Sequence, residues 1–301
     1  MRGQRLRPRY RRGPFSLMER KALKVAVASG KGGTGKSCVA ASLLVTIPGL
    51  LGADVDVEEP NLALLLGAEA YASSLVETPW PVIDDGLCDR CGECVRACRF
   101  GALYMFGGAS PSPNDLCHGC GVCSMVCPKK AISETGRPVG EVRLCRKGDL
   151  EIFEGRLRVG MPNPVPVIGA AIEAALAEGR DLVIDSPPGT SCPMVSAVRK
   201  ADVVVLVTEP TPFGYADLDL ALQVIRDLGL PAMTVINRAD LGEADIEGLS
   251  GRYGVPVAAR LPFSRTVAES YAIGDPPALI DPDWREAMVG IWDRARKVAG
   301  R

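Results

Sequence analysis

The chain has 301 residues, 47% of them hydrophobic and 24% charged, and its formal net charge is −1. This composition is ordinary for a globular protein, and no apolar run approaches the ~20 residues that a membrane-spanning helix needs. The first 30 residues also lack the apolar core and cleavage site of a secretory signal. We therefore expect a cytoplasmic protein without a membrane partner.

The N-terminal segment is strongly basic. Residues 1–20 contain seven arginines and one acidic residue, Glu19, whereas the rest of the chain carries 28 basic and 35 acidic side chains. A basic arm can bind nucleic acid or acidic lipid, but no aromatic or periodic face accompanies these charges. We predict a disordered tail, or an extension upstream of a start at Met18. Because the remaining surface is acidic, nucleic acid is not an expected partner.

The first structured segment is predicted to bind nucleotide phosphates. An apolar run, Val25 to Ala28, leads into the sequence GKGGTGKS at residues 30–37, and a helical segment follows. This matches the phosphate-binding loop G-x4-G-K-[ST] in its strand–loop–helix context. In such loops backbone N–H groups hold ATP, the lysine reaches the β- and γ-phosphates, and the hydroxyl of Ser37 ligates Mg²⁺. The loop residues expected at the site are Gly30, Gly32, Gly33, Thr34, Gly35, Lys36 and Ser37.

Eight of the eleven cysteines form two matched runs further along the chain. Both have the spacing C-x2-C-x2-C-x3-C, which in bacterial ferredoxins binds two [4Fe–4S] clusters, the fourth cysteine of each run ligating the other cluster. The predicted ligand sets are Cys88, Cys91, Cys94 and Cys127 for the first cluster, and Cys117, Cys120, Cys123 and Cys98 for the second. Zinc is the alternative, since C-x2-C pairs also form tetrahedral zinc sites, although usually with longer stretches between the pairs.

The two cysteine runs belong to an internal repeat, in which Gly92 and Gly121 are equivalent. Over roughly 50 residues this segment resembles the two-cluster bacterial ferredoxins. It departs from their pattern at Arg99, which stands where the other run has Pro128. His118, the only histidine, lies within the second run, where we expect it to influence the cluster as a neighbour and not as a ligand.

Alternating apolar strands and helices elsewhere predict a doubly wound, mostly parallel α/β sheet. Strands are predicted at 182–185, 203–208, 232–236 and 255–259, and helices near 165–178, 214–228 and 243–253. Pro79 and Pro81 are predicted to open an insertion, Gly136 to Gly140 to close it, and residues 141–160 to form short returning strands. The predicted domains are a tail at 1–20, an ATPase domain at 21–78 and 138–301, and a small α+β ferredoxin domain at 79–137.

Two elements at the edges of this pattern are less regular. The stretch from Ser37 to Asp54 is a few residues short for a helix and a strand, so we expect a loosely formed strand before Asp54. The last helix, Asp283 to Val298, carries apolar residues on one face, and it either packs on the ATPase core or lies on a membrane. Acidic residues along this helix favour packing. The apolar residues are Trp284, Met288, Ile291 and Trp292.

Lys31, directly after the first glycine of the loop, is the signature of the deviant Walker A ATPases. From residue 23 onward the chain resembles the MinD/ParA/nitrogenase-iron-protein superfamily, and in particular its MinD-type members with an inserted ferredoxin domain. The matching stretches are ADVDVEEPNL (53–62) for the first switch, DLVIDSPPGTSCP (181–193) for the second switch, AMTVINR (232–238) for base recognition, and RLPFSRTVAES (260–270) for the last nucleotide-side loop.

This resemblance implies a homodimer that sandwiches two nucleotides. Lys31 would reach the phosphates of the other subunit, Asp56 would position the attacking water, and Asp185 would hold Mg²⁺ through water. Asn237 would recognise adenine, and Gly189 lies in the turn of the second switch. Catalytic roles would thus fall on Lys31, Lys36 and Asp56, with Asp54 paired to Asp56 and Asn61 further along the first switch.

The function favoured by these features is an ATPase that couples nucleotide state to electron transfer through two [4Fe–4S] clusters. The alternative is an iron–sulfur cluster carrier of the Mrp type, which would need a labile C-x-x-C near the end of the ATPase, whereas no cysteine follows Cys192. An amidating synthetase and a positioning ATPase explain the cysteines less well. A redox protein or an apo-protein acceptor is the expected partner. We expect Cys192 to be a small buried residue, with Cys145 a remote candidate for a further ligand.

Overall fold

The computed structural model describes residues 21–300, so the predicted basic tail and Met18 lie outside the described residues. A nine-stranded sheet forms the centre, in the order β11-β10-β9-β1-β8-β2-β7-β6-β3. The strands are β1 Lys24–Ala28, β2 Leu51–Asp54, β3 Glu69–Ile83, β4 Leu103–Tyr104, β5 Ser112–Pro113, β6 Ile132–Lys147, β7 Leu150–Leu157, β8 Leu182–Asp185, β9 Val203–Thr208, β10 Ala232–Asn237 and β11 Val257–Leu261. Strands β4 and β5 form a separate two-stranded sheet.

Helices cover both faces of the central sheet. They are α1 Lys36–Thr46, α2 Leu62–Leu65, α3 Glu93–Ala97, α4 Val122–Val126, α5 Val165–Leu176, α6 Cys192–Val198, α7 Pro212–Asp227, α8 Ile246–Arg252, α9 Arg265–Ala272, α10 Pro277–Ile280 and α11 Pro282–Val298. One buried core lies beneath α5, α6, α7 and α8. The other lies beneath α1, α2, α10 and α11. The predicted doubly wound α/β architecture is therefore confirmed, and its strands are buried because both faces are covered.

The strand before Asp54 is better formed than the sequence predicts. All four residues of β2 are buried, and β2 pairs in parallel with β8 on one side and β7 on the other. Gly52 permits the close packing of β2 against its neighbours, since a Cβ at this position would lie 3.0 Å from Leu44 Cδ1 and 3.1 Å from Ile152 Cγ1. The absent side chain lets α1 pack close to the strand, and β2 lies inside the sheet.

The C-terminal helix packs on the ATPase core. Trp284, Met288, Ile291 and Trp292 are at most 4% exposed, and α11 contacts α1, α10 and β11. The alternative of a helix lying on a membrane is wrong for this face, because its apolar residues are already buried in the protein. None of the helices in residues 21–300 has the length and apolar character needed to cross a membrane.

Residues 141–160 form strands as predicted, namely the second half of β6 and all of β7, but β6 begins earlier and forms a long antiparallel hairpin with β3. Strand β6 runs for 16 residues and pairs with β3 from Glu69–Arg146 to Ile83–Ile132. Pro79 and Pro81 therefore lie within a strand and do not interrupt it. They are tolerated because β3 is the edge strand, and two prolines spaced by one residue direct their nitrogens toward the same unpaired side.

Only part of this hairpin belongs to the central sheet. Strand β7 pairs with β6 over residues 140–147, so residues 77–83 and 132–138 continue beyond it as a two-stranded ribbon, which we call the arm. The pairing shifts where the arm begins, since Val76 pairs with Gly140 and Glu77 with Pro138, leaving Val139 as an extra bulged residue. Residues 84–131 connect the two strands at the tip of the arm and contain all eight matched cysteines; we call them the cysteine module.

Candidate functional site: a phosphate-binding loop and two cysteine-lined cavities

The loop between β1 and α1 has the backbone of a phosphate-binding loop. Gly33 and Gly35 have φ values of 80° and 94°, in the left-handed region that favours glycine, and Gly35 caps α1. Gly30 lies against α7, where a Cβ would come within 2.2 Å of the Asp217 carbonyl oxygen. Lys36 is the first residue of α1, so the N–H groups of the loop and the helix dipole favour an anion at this position.

Lys36 forms the centre of a buried charge cluster. Its Nζ lies 3.3 Å from Asp185 Oδ1 and 3.7 Å from Asp56 Oδ2. Burial alone would lower the pKa of Lys36, but Asp185 and Asp56 outweigh it and raise the pKa. Burial raises the pKa of Asp56 to about 6, although Lys36 opposes that rise. The ends of β8 and β2 thus direct two carboxylates at the lysine of the phosphate-binding loop.

Asp54 organises the first switch from inside the protein. It is fully buried, and its carboxylate accepts the N–H of Asp56 at 3.2 Å and that of Leu62 at 2.8 Å. Burial, followed by the nearby Asp185 carboxylate, raises its pKa well above the usual range. Glu154, a neighbour of Asp54 that the sequence did not single out, pairs with it in register and is 2% exposed. Asp54 therefore fixes the loop that carries Asp56.

The other predicted nucleotide residues surround the same loop. Asn237, at the end of β10, donates from Nδ2 to the Thr34 carbonyl oxygen at 2.8 Å. Lys31 is partly exposed, and no carboxylate of residues 21–300 lies within ion-pair distance of it. Gly189 follows β8 with a φ of 96°. A helix N-terminus next to Ser37 and a cluster of carboxylates fits a nucleotide triphosphate and Mg²⁺, since carboxylate and hydroxyl oxygens suit that ion.

The cysteine module repeats itself in its backbone as well as in its sequence. The repeat spacing is 29 residues, and the short helices α3 and α4 correspond across it. Positive φ values recur at equivalent positions: 60° at Arg90 and 66° at Gly119, and 76° at Gly92 and 72° at Gly121. The fourth cysteines also correspond, because Ala102 N–H donates to Cys98 Sγ and Ala131 N–H to Cys127 Sγ, both at 3.3 Å. The module is a pseudo-twofold pair of loops.

The module contains two cavities, each lined by four thiols. The first cavity, about 320 Å³ including space open to solvent, is lined by Cys88, Cys91, Cys94 and Cys127. The second, about 400 Å³ measured in the same way, is lined by Cys117, Cys120, Cys123 and Cys98. The fourth thiol of each cavity therefore comes from the other run, as in the predicted ligand sets.

The thiols around these cavities are a donor set suited to [4Fe–4S] clusters. Four cysteines and an N–H donor to one sulfur are the usual surroundings of such a cluster. Within residues 21–300 no three His, Cys, Asp or Glu side chains converge closely enough to hold one metal ion. His118 lines the second cavity and stacks on Phe100, with ring centroids 3.8 Å apart and planes inclined by 7°.

The three cysteines outside the runs lie in different surroundings. Cys192 is exposed at the start of α6, so the expectation that it is buried is wrong: the helix begins there and leaves its first turn open. Cys145 is buried in β6, and burial raises its pKa to about 11. Burial likewise raises the pKa of Cys38 to about 12.

A backbone connection joins the first switch to the arm, and nothing in the sequence pattern indicated it. The Val57 carbonyl oxygen, directly after Asp56, accepts the N–H of Leu157 at 2.8 Å. The next residue, Arg158, donates its N–H to the carbonyl oxygen of the bulged Val139 at 2.9 Å. The end of β7 is therefore hydrogen-bonded to the first switch on one side and to the base of the arm on the other.

The central sheet is mostly parallel, with a phosphate-binding loop after β1 and acidic residues at the ends of β2 and β8. Together with the signature lysine Lys31, these features define a nucleotide-binding P-loop protein with a deviant Walker A loop. The family model described as CobQ/CobB/MinD/ParA nucleotide binding domain matches residues 25–277. The chain belongs to this family and is an ATPase of the MinD/ParA type, with ATP and Mg²⁺ as the ligands that its fold supports.

Individual relatives agree with this family. An uncharacterized protein of Methanocaldococcus jannaschii is 29% identical over 258 residues, which cover 83% of this chain and 90% of that protein. An iron-sulfur cluster carrier protein of Pseudomonas fragi is 24% identical, over 88% of this chain and 81% of its own length. The fold is similar to the septum site-determining protein MinD from Pyrococcus horikoshii, solved with Mg-ADP, at a TM-score of 0.57 and 20% identity, covering 93% of this chain and 98% of that one.

Proposed function

We propose that this protein is an ATPase whose nucleotide state controls electron transfer through two [4Fe–4S] clusters held by the cysteine module. The observation that carries the proposal is the pair of hydrogen bonds at the end of β7, which link the first switch to the base of the arm. Switch segments of nucleotide-dependent proteins are ordered by the γ-phosphate and released after hydrolysis. An arm bonded to such a segment changes its position or surroundings with the same event.

In the nucleotide site the chain's own residues bind and orient ATP. Lys36 leaves its ion pairs with Asp56 and Asp185 to contact the phosphates, and Mg²⁺ would be held by Ser37 and, through water, by Asp185. Asp56 then positions the attacking water. Lys31 of a second copy reaches the phosphates across a nucleotide-dependent dimer. Asn237 lies beside the loop, where it contacts the base.

In the cysteine module the two cavities hold the clusters through the exchanged cysteine sets. Bound [4Fe–4S] clusters supply one-electron redox chemistry, and their potentials depend on hydrogen bonds to sulfur and on nearby charge. The N–H groups of Ala102 and Ala131 donate to Cys98 and Cys127, and so stabilise the thiolates. The acceptor is a redox protein.

A second candidate is an iron–sulfur cluster carrier, which the name of the Pseudomonas fragi relative favours. One observation also fits it: Cys192 is exposed near the end of the second switch, where two copies of the chain would face each other in a nucleotide-dependent dimer. Facile transfer of a cluster to an apo-ferredoxin, lost in Cys192→Ser, would support this candidate over electron transfer.

Anaerobic redox titration of the iron-loaded protein tests the main proposal. Midpoint potentials and reoxidation rates are compared in nucleotide-free, ADP and ATP-analogue states. Couplings between sites are typically 1–3 kcal/mol, so we expect a nucleotide-dependent shift of about 40–130 mV, or an equivalent change in rate. Lys36→Ala should abolish this difference. If the wild type and Lys36→Ala behave alike in every state, nucleotide does not control the clusters.

A matched pair of variants tests the connection at β7. Arg158→Pro removes the N–H that Val139 accepts, whereas Arg158→Ala keeps it and removes only an exposed side chain. We expect Arg158→Pro to retain ATP hydrolysis and iron content but to lose the nucleotide-dependent shift. Arg158→Ala should behave as the wild type. Equal shifts in both variants would mean that coupling takes another route.

A further inference from the structure

The 29-residue repeat allows the surroundings of the two cavities to be compared position by position. Each cavity has one exposed cysteine, Cys91 in the first and Cys120 in the second, and these two are equivalent in the repeat. They mark the places where each ligand set reaches the surface. Differences between the side chains around them are therefore differences between two otherwise matched sites.

Five charged side chains surround Cys91, whereas the five equivalent positions around Cys120 hold a histidine, a glycine and three apolar residues, and Glu134 is the charged residue that lines the second cavity. We call these sets the first rim and the second rim. The first rim is Asp89, Arg90, Glu93, Arg96 and Lys129. The second rim is, in the same order, His118, Gly119, Val122, Met125 and Phe100. The first, third and fifth members of each set also line the corresponding cavity.

Charged side chains of the first rim form ion pairs with one another and are open to solvent. Arg96 lies 2.7 Å from Glu93, and Lys129 lies 4.0 Å from Asp89. All five residues are exposed, so their charges remain hydrated. Burying such a rim against a protein would require opposing charges or leave hydrated groups unpaired.

The second rim exposes apolar side chains, and none of its five members belongs to an ion pair among the described residues. Met125 is 83% exposed and Phe100 is 42% exposed. The stacked rings of Phe100 and His118 fix one side of the rim, which reduces the side-chain freedom that docking would remove. Methionine and aromatic side chains around a less charged centre are typical of the core of protein interfaces.

We propose that the second rim is the docking surface of a redox partner protein whose contact face is mainly apolar, so that electrons are exchanged beside Cys120 and not beside Cys91. This inference rests on the proposed function and adds the side of the module at which the partner binds. Desolvation selects the partner: a charged group placed against Met125 and Phe100 would lose its hydration to apolar side chains, and Glu134, the carboxylate that lines this cavity, already accepts a hydrogen bond from Ser124 at 2.6 Å.

A reciprocal exchange between the rims tests the proposal. Met125→Arg places the first rim's residue in the second rim, and Arg96→Met does the reverse; neither position lines a cavity. Met125→Leu is the conservative control. The iron-loaded proteins are reduced with dithionite, and reoxidation by the neutral acceptor menadione is compared with reoxidation by anionic Fe(III)–EDTA. Iron content and visible spectra confirm that both clusters remain in each variant.

We expect Met125→Arg to slow reoxidation by menadione about tenfold, the effect of losing one central interface contact. Met125→Leu and Arg96→Met should retain the wild-type rate, and that rate should change little with salt. Binding of the neutral dye Nile red to the oxidised protein, a measurement without electron transfer, should weaken in Met125→Arg alone.

Two outcomes would overturn this inference. One is a menadione rate that responds to Arg96→Met and not to Met125→Arg, which would assign electron exchange to the first rim. The other is a nucleotide-free dimer that Met125→Arg converts to a monomer in sedimentation, which would make the surface a contact between copies. Failure of the proposed function itself is separate, because it appears as nucleotide-independent potentials in the wild type.

Discussion

The ammonium group of Lys36 compensates a set of carboxylates that would otherwise repel one another in the interior. Asp185 and Asp54 are at most 1% exposed, and Asp56 lies within ion-pair distance of the lysine. When ATP and Mg²⁺ bind, Lys36 would contact the phosphates, and Mg²⁺ would replace it as the positive charge that compensates the carboxylates. Lys31 takes no part in this cluster and is left for a separate role.

Lys31→Ala should therefore separate binding from turnover. We expect the variant to bind nucleotide normally but to lose ATP-dependent dimerisation, and with it hydrolysis by about 10³-fold, as for other cations supplied in trans. Size-exclusion chromatography with an ATP analogue and phosphate release measure the two effects. Lys36→Ala is the contrasting variant, in which nucleotide binding itself is lost. Normal hydrolysis in Lys31→Ala would refute the role in trans.

The cysteines outside the runs should differ in reactivity with iodoacetamide, which attacks the thiolate. With pKa values of about 11 and 12, Cys145 and Cys38 are each less than about 0.1% ionised at pH 8, and their alkylation should rise roughly tenfold per pH unit above it. Exposed Cys192 should react first. Peptide mass spectrometry of the iron-loaded protein measures all three sites. Rapid modification of Cys145 at pH 8 would contradict its burial.

Iron content provides the matching test at Cys192. We expect Cys192→Ser to leave iron unchanged, since this thiol lies at the start of α6 and lines neither cysteine cavity. Loss of about two irons per chain would instead indicate a third cluster shared between two copies of the chain.

Among the elements, α11 is an amphipathic helix whose apolar face is buried in the core. Its four apolar residues cover the face of the sheet that also receives α1, and Asp281 caps the helix by accepting the N–H groups of Asp283 and Trp284. The Nε1 atoms of Trp284 and Trp292 are buried without a hydrogen-bond partner among the described residues. Apolar packing therefore supplies the stability of this helix.

Trp292→Ala should destabilise the protein by about 3–5 kcal/mol, because a fully buried aromatic side chain leaves a cavity when removed. Val289→Ala, on the exposed side of the same helix, should change stability by no more than about 0.5 kcal/mol. Urea denaturation of both variants gives the two values. If the two variants were equally stable, α11 would not be part of the core.

For the whole molecule, the arm separates the phosphate-binding loop from the cysteine module. The nucleotide site is built at the carboxyl ends of β1, β2 and β8, whereas the cysteine module lies at the tip of a ribbon that leaves the sheet at Val139. Arg137 ties the module to this ribbon, since it lies 2.7 Å from Asp115 and 4.1 Å above the Trp80 ring. Arg137 therefore connects the cysteine module to both strands of the arm.

The iron content should be eight atoms per chain, and single substitutions should reveal the exchanged ligands. We expect Cys127→Ser to impair the first cluster, although Cys127 belongs to the second cysteine run, and Cys98→Ser to impair the second. Iron analysis and electron paramagnetic resonance of the reduced proteins distinguish the two clusters. Iron near four in the wild type, or stoichiometric zinc, would contradict both cavities as cluster sites.

Local sequence determined the phosphate-binding loop and the two cysteine runs. Each depends on residues only a few positions apart, so their spacing is enough to specify the left-handed glycines and the helix starts, whereas the exchange of the fourth cysteine was predicted from the ferredoxin pattern. Periodicity likewise predicted α11 and the buried strands, because burial of one helix face or of a whole strand is written directly in the apolar pattern.

The tertiary structure decided the features that join distant parts of the chain. The place of β2 inside the sheet, the length of the arm and the exposure of Cys192 follow from strand pairing and helix packing that no local pattern records. The same is true of the bonds from Leu157 to Val57 and from Arg158 to Val139. Backbone N–H and C=O groups are alike in every residue, so only the folded sheet selects which of them meet.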